Sequence, residues 1–229
     1  MTRTPAQALA AATAALLEEH EAADVVERVL QDVVRLLAAD AAAVLLDSGR
    51  GLELFVATSH RAEELEVHQA QNDEGPCVDA VQTGVHVTAA SAAELESRWP
   101  TTGPTIARAG FASVDALPLR WHGRALGGLN VFSEAERGLG SDEVALAQSF
   151  ADVVTLVVVQ SADLDDTDVL ANLRHALGGR VVVEQAKGVL AQQLDVGMAE
   201  AYDALLSKVG DDGSLTAVAR AVVEDAYRA

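Results

Sequence analysis

The spacing of apolar positions changes several times along the chain, and each change marks an element. From Asp24 to Ala39 the residues Val25, Val29, Val33, Leu36 and Leu37 recur at helical spacing, predicting a helix with one buried face. Ahead of it, Thr4 to His20 reads as another helix, with Thr4 as its cap and Pro5 in the first position. In "AAAVLLDSGRGLELFVATS" two apolar runs flank Ser48-Gly49-Arg50-Gly51, the pattern of a β-hairpin with a glycine-supported turn. "HRAEELEVHQA" is too polar for a core and reads as a short surface helix or loop.

"NDEGPCVDAVQTG" predicts a turn and then a helix opening at Pro76, "VHVTA" a short strand, and "SAAELESRWPTTGPTIARAG" one or two short helices ending at Gly110. A second hairpin follows, "FASVDALPLRW" and "ALGGLNVFS" joined by His122-Gly123-Arg124. Ser141 is placed to cap a long helix that carries Leu146, Phe150, Val153, Val154 and Val157 at helical spacing. "SADLDDTD" is a charged break, and beyond Val169 only helical patterns occur, at about 168–194, 198–209 and 214–227. This order predicts an α+β fold: an antiparallel-sheet sandwich with helices segregated to one side, followed by a small all-α three-helix bundle. The domains are read as 1–162 and 163–229. Three helices in about 60 residues make a small core that leans on a partner or a preceding helix. The apolar helices at 4–18 and 141–160 are candidates for a homodimer interface.

Composition narrows the chemistry. Half of the 229 residues are apolar and 3% aromatic, which is globular. The lone Cys77 excludes an intramolecular disulfide and an all-cysteine metal cage. The six histidines form no HxxxH or HxH pair, so no metal is expected. Neither a nucleophile elbow nor a phosphate loop occurs, and "LGGLN" is no dinucleotide fingerprint; no catalytic set is read and no enzyme is expected. The most apolar run near the middle, Val153 to Val159, falls far short of the roughly 20 residues of a membrane span. With no secretory signal at the start, the expected location is the cytoplasm.

The formal charge of −19 argues against a non-specific polyanion binder, and no DNA partner is expected. The charge is unevenly spread. Residues 1–164 hold 10 Arg and Lys against 24 Asp and Glu, whereas residues 165–229 hold 6 against 11 and include both lysines, Lys187 and Lys208. In "GGRVVVEQAKGVLAQQ" (Gly178 to Gln193), Arg180 and Lys187 are seven residues apart and so share a helical face, with Arg174 nearby. Gly188 leaves room for a neighbouring helix at a cost of roughly 1 kcal/mol in propensity. On spacing alone these are ordinary solvated helix residues. Cys77 follows Gly75-Pro76 at a helix start, where the dipole favours a thiolate and redox sensing, but a small buried hydrophobe is the better reading. Trp99, Phe111 and Trp121 are candidates for lining a sensor pocket, with core packing again the better reading.

Residues 170–223 resemble the ANTAR domain. The resemblance rests on Leu173, Leu177, Arg180, the run Gln185-Ala186-Lys187-Gly188, Leu190, Ala201, Leu205 and Val218-Ala219. It implies a transcription antitermination regulator whose paired domains bind RNA hairpin loops. Arg174, Arg180, Gln185, Lys187 and Gly188 would then be RNA-binding residues, turned outward. The chain departs from the family pattern before the third helix, where Asp211-Asp212-Gly213-Ser214 stand in place of Asn or basic residues. Two aspartates there repel phosphate, each by about 1 kcal/mol, and leave a rival reading as an acidic protein-interaction module. Residues 20–160 resemble a GAF domain through "EGPCVDAVQTG", "ASVDALPLRWHGRALGGLNVFS" and "LGSDEVALAQSFAD". That implies a sensory or dimerising module with a ligand pocket between sheet and helices. Asn130 is followed by Val131 rather than the Lys of the cyclic-nucleotide signature, so that ligand is not supported, and no other cofactor is implied.

Overall fold

Two hairpins supply the central sheet and the helices between them cover it. The computed structural model describes residues 3–17, 21–160, 169–209 and 214–228. Helix α1 (Pro5–Ala15) is capped as expected: the Thr4 side chain accepts from the Gln7 amide, and the Gln7 side chain accepts from the Thr4 amide. Helix α2 (Ala22–Leu36) buries Val25, Val29 and Val33, and Leu37 just beyond its end completes that face. Strands β1 (Ala41–Asp47) and β2 (Leu52–Ala57) form the first hairpin. Then come α3 (His60–Asn72), α4 (Pro76–Thr83), β3 (Val87–Ala89), α5 (Ala92–Arg98) and α6 (Gly103–Arg108). The second hairpin, β4 (Ser113–Trp121) and β5 (Arg124–Ser133), leads into α7 (Ser141–Val159). Gly140 rather than Ser141 holds the cap position of α7, and the Glu143 carboxylate accepts from its amide at 2.9 Å.

The five strands run in the order β2-β1-β5-β4-β3, every pair antiparallel. Alternation splits the sheet into two apolar faces. Ala42, Val44 and Leu46 join Val29, Val33, Phe150 and Val154 on the side of α1, α2 and α7. Ala41 and Ala43 join Leu65, Ala80, Leu95 and Ile106 on the side of α3 to α6. Helices therefore cover both faces of the sheet and are not segregated to one. The second face is covered by α3 to α6; α3, read from its polar sequence as a short surface helix or loop, is a helix of 13 residues whose inner side packs there.

Among its described residues the C-terminal part forms three helices and no strand: α8 (Val169–Leu194), α9 (Met198–Ser207) and α10 (Leu215–Arg228). They enclose a small core of Val183, Ala186, Leu190, Ala201, Leu205, Leu215 and Ala219. Leu173 and Ala176, at the start of α8, pack instead into the core shared with α1, α2 and α7. The bundle thus leans on the larger domain, and α8 lies along the edge strand β2.

Candidate nucleic-acid interface

Along α8 the buried positions among the described side chains are Leu173, Ala176, Val183, Ala186, Lys187 and Leu190. Their spacing is that of a single apolar stripe, and Arg180 and Lys187 stand on it. The shared face inferred from sequence is therefore real, but it is the inner one. Lys187 is 1% exposed. Its Nζ donates to Glu63 Oε2 at 2.5 Å and to both oxygens of Glu184 at 3.3 Å, and lies 5.0 Å from the centre of the Tyr202 ring. Arg180 donates through Nη1 to the carbonyl of Leu54 on β2 at 2.7 Å and through Nη2 to Glu63 Oε1 at 3.0 Å. One carboxylate of α3 thus holds both cations. The expected outward presentation of Arg180 and Lys187 is corrected: as an apolar stripe closes over the sheet edge, the cations on it must find carboxylates or remain unpaired in the interior.

Arg174, Gln185 and Gly188 lie on the opposite, exposed side of α8. No heavy atom lies within 4 Å of a Cβ built on Gly188, so no neighbouring helix uses the space that its missing side chain leaves. Asp211, Asp212 and Gly213 lie outside the described residues.

Further polar contacts tie the bundle down. Tyr202 donates its hydroxyl to the carbonyl of Ala57 on β2 at 2.7 Å. Asp24 of α2 accepts from the Thr216 amide at 2.8 Å and from the Ser214 hydroxyl at 2.5 Å. Side chains from α8 and α9 thus engage carbonyls of an edge strand that would otherwise be open to pairing. A cavity of about 30 Å³, bordered by Glu63, Arg180, Glu184 and Tyr202, remains at the junction. That is room for water and little more.

The electrostatics follow the partners. Burial pushes the Glu63 carboxyl up, but hydrogen bonds with Glu184 and Lys187, the Lys187 charge and His60 together outweigh it and hold the group low. Burial raises Glu184, helped by the Glu63 carboxylate and opposed by Lys187 and Arg180. The two carboxyls are driven apart, Glu63 down and Glu184 up, so Glu184 takes a proton first as pH falls.

Inside the larger domain the sensor candidates sit apart from this junction. Cys77 is fully buried, and burial, with the Glu66 carboxyl beside it, raises its thiol far above the ordinary range. The depression that a helix start favours does not occur, because desolvation outweighs the dipole, and the buried-hydrophobe reading holds. Cys77 is a packing residue: a side chain at Gly128 would meet its Sγ at 2.6 Å. Trp99 is buried and donates to Asp79 at 3.0 Å, while Phe111 packs on Phe132 under the Arg61 guanidinium. Trp121 packs against the other face of the sheet and stacks on His122. The three aromatics line no common pocket.

Sequence reading missed Glu63, Glu184, Asp24 and Tyr202. The available signal was on α8: Arg180 and Lys187 fall in register with Leu173, Val183 and Leu190, a heptad-like stripe that marks an inward face.

The chain matches the GAF domain family over residues 19–159 and the ANTAR domain family over residues 171–223. No curated protein matches it. Among solved structures it is similar to the GAF domain of a phosphoenolpyruvate-protein phosphotransferase from Acinetobacter. The TM-score is 0.58 at 12% identity, over 73% of this chain and 100% of that one. It is also similar to a GAF domain/HD domain protein from Geobacter sulfurreducens, with a TM-score of 0.53 at 15% identity, over 65% and 99%. The phycoerythrobilin-bound GAF domain of a cyanobacterial phytochrome gives 0.51 at 14%, over 69% and 95%. These likenesses show the fold. With the family match covering more than half of its length, the chain belongs to the GAF domain family, and an ANTAR domain follows the GAF domain in the arrangement of an ANTAR-family regulator.

Proposed function

We propose that this chain is an RNA-binding antitermination regulator in which the GAF domain senses a signal and the ANTAR domain binds RNA hairpin loops. One observation carries the reading. Arg180 and Lys187, the two cations of the ANTAR motif, share a carboxylate of the sensor domain, Glu63. Phosphate and Glu63 compete for the same donors, so RNA access depends on whether the bundle is docked. The docked arrangement is the RNA-refusing state. A signal opens it only by binding the undocked form more tightly.

In the open form Arg180 and Lys187 meet loop phosphates, while Arg174 and Gln185, exposed already on the opposite side of the helix, are open to another part of the same RNA. Gly188 keeps that side free of bulk. The regulator acts as a homodimer in the cytoplasm, two bundles reading paired hairpins. No catalytic step is assigned to either domain.

The test is RNA recovered from cells with the Glu63→Gln protein and sequenced, beside the same protein carrying Lys187→Ala. Hairpin-bearing transcripts are expected with the first and lost with the second. Equal recovery would refute the assignment and favour the acidic protein-interaction module.

A further inference from the structure

The junction contains a second place where a sensor carboxylate fills an anion-binding arrangement of the ANTAR domain. At the start of α10, Ser214 caps the helix by accepting from the Ala217 amide at 2.9 Å, and its hydroxyl donates to Asp24 Oδ2 at 2.5 Å. The Thr216 amide donates to Asp24 Oδ1 at 2.8 Å. Both oxygens of Asp24, which is 5% exposed, are thus committed to the first turn of a helix of 14 residues. Four residues on from Thr216, Arg220 pairs with Glu21 at 2.9 Å. Acids flanking the start of α2 therefore meet the positive end and the first basic residue of α10.

A carboxylate does not complete this turn. Thr216 is 1% exposed, yet its hydroxyl oxygen has no hydrogen-bond partner, although the amide of the same residue binds Asp24. A buried hydroxyl without a partner is uncommon in a folded protein. An RNA phosphate presents two non-bridging oxygens as a carboxylate does, but on a tetrahedral centre and with more lone pairs, so that it can accept from the Ser214 hydroxyl, the Thr216 amide and the Thr216 hydroxyl together.

We propose that the N-terminal turn of α10, formed by Ser214 and Thr216 with Arg220 one turn on, is a phosphate subsite for RNA, plugged by Asp24 in the docked state. The inference rests on the RNA-binding reading and deepens it. Glu63 and Asp24 then stand in for two phosphates of one RNA, on Arg180 and Lys187 and on the start of α10. Asp211 and Asp212 precede the turn in sequence and work against the site, which makes Arg220 the more necessary.

The experiment uses the full chain and a fluorescent synthetic RNA of two tandem hairpins, read by anisotropy across a salt series. In the doubly unplugged protein, D24N with E63Q, affinity is expected to rise at least tenfold over the natural chain. Adding Thr216→Val is expected to weaken it about fivefold. The same substitution leaves the melting temperature of the natural chain unchanged or higher, since the hydroxyl it removes has no partner there. Arg220→Ala is expected to lower the slope of log affinity against log salt by about 0.7 to 0.9, one phosphate contact. Ser214→Ala also removes a helix cap, so Thr216→Val is the deciding variant. If Thr216→Val leaves the affinity of the unplugged protein unchanged while Lys187→Ala abolishes it, the subsite is refuted and the RNA function stands. If the unplugged protein binds no RNA, or Lys187→Ala has no effect on it, the RNA function falls and the subsite with it.

Discussion

Glu63 and Glu66 lie one turn apart on α3, both buried, and are driven in opposite directions. Glu66 is 0% exposed, and its partners are amides: Asn130 donates to one oxygen and Gln69 to the other at 2.9 Å. Burial raises its carboxyl to about 8, against the lowering effect of the Asn130 hydrogen bond. Glu63 faces Lys187 and Arg180, and hydrogen bonds with Glu184 and Lys187, with the Lys187 charge, hold it low despite burial. Burial alone does not set the charge of an acid; what stands opposite does. The sheet-facing side of α3 holds a neutral acid inside the sensor core, and the α8-facing side holds an ionised one that binds another domain.

The stability consequences have opposite signs. The folded-state pKa of Glu66 is raised, so its contribution is fully present below pH 4.5, its unfolded value, and is lost as pH rises toward 8. The folded-state pKa of Glu63 is lowered, so its contribution is present above pH 4.5 and lost as pH falls toward 2.

The largest test of the comparison is Glu66→Gln. At about 1.4 kcal/mol per pH unit, the natural chain should lose about 4 kcal/mol relative to the variant between pH 5 and 8, measured by urea denaturation at each pH. A difference that does not change with pH would mean that Glu66 is ionised in the fold. Next comes Glu63→Ala, which leaves Lys187 with only the half-exposed Glu184. Protection of α8 and α9 amides from hydrogen exchange should drop by about 3 kcal/mol while α4 and β5 keep theirs. Tyr202→Phe should cost about 1 kcal/mol in the same measurement, the worth of one hydrogen bond to Ala57. Smallest is Gly188→Ala: the added methyl meets nothing within 4 Å, so stability should rise by up to about 1 kcal/mol of helix propensity, read as a higher melting temperature. Its RNA affinity in the Glu63→Gln background then reports whether the exposed side of α8 must stay bare.

Much of the fold was legible because its signals are local. The Val25-Val29-Val33 face, the two hairpins, and Thr4 with Pro5 at the head of α1 all lie within a few residues of the structure that they dictate. The helix α3 was not, because its meaning is remote. Glu66 bonds Asn130 at a separation of 64 residues, and Glu63 bonds Lys187 at a separation of 124. Without those partners in view, "HRAEELEVHQA" reads as surface. Arg180 and Lys187 were correctly placed on one face, but a cation ordinarily signals solvent, and only the apolar stripe around them says otherwise. For Cys77 the better reading, a small buried hydrophobe, holds; the thiolate alternative arose because helix starts are visible in sequence, whereas complete burial is not.

The central claim is that docking on the sensor domain and binding of RNA exclude each other. Hydrogen exchange at the edge strand β2, Leu52–Ala57, tests it directly, because the ANTAR domain covers that edge through Arg180 and Tyr202. Saturating the Glu63→Gln protein with the tandem-hairpin RNA should speed exchange in β2 at least tenfold over the natural, docked chain. Unchanged protection of β2 with RNA bound would contradict the account.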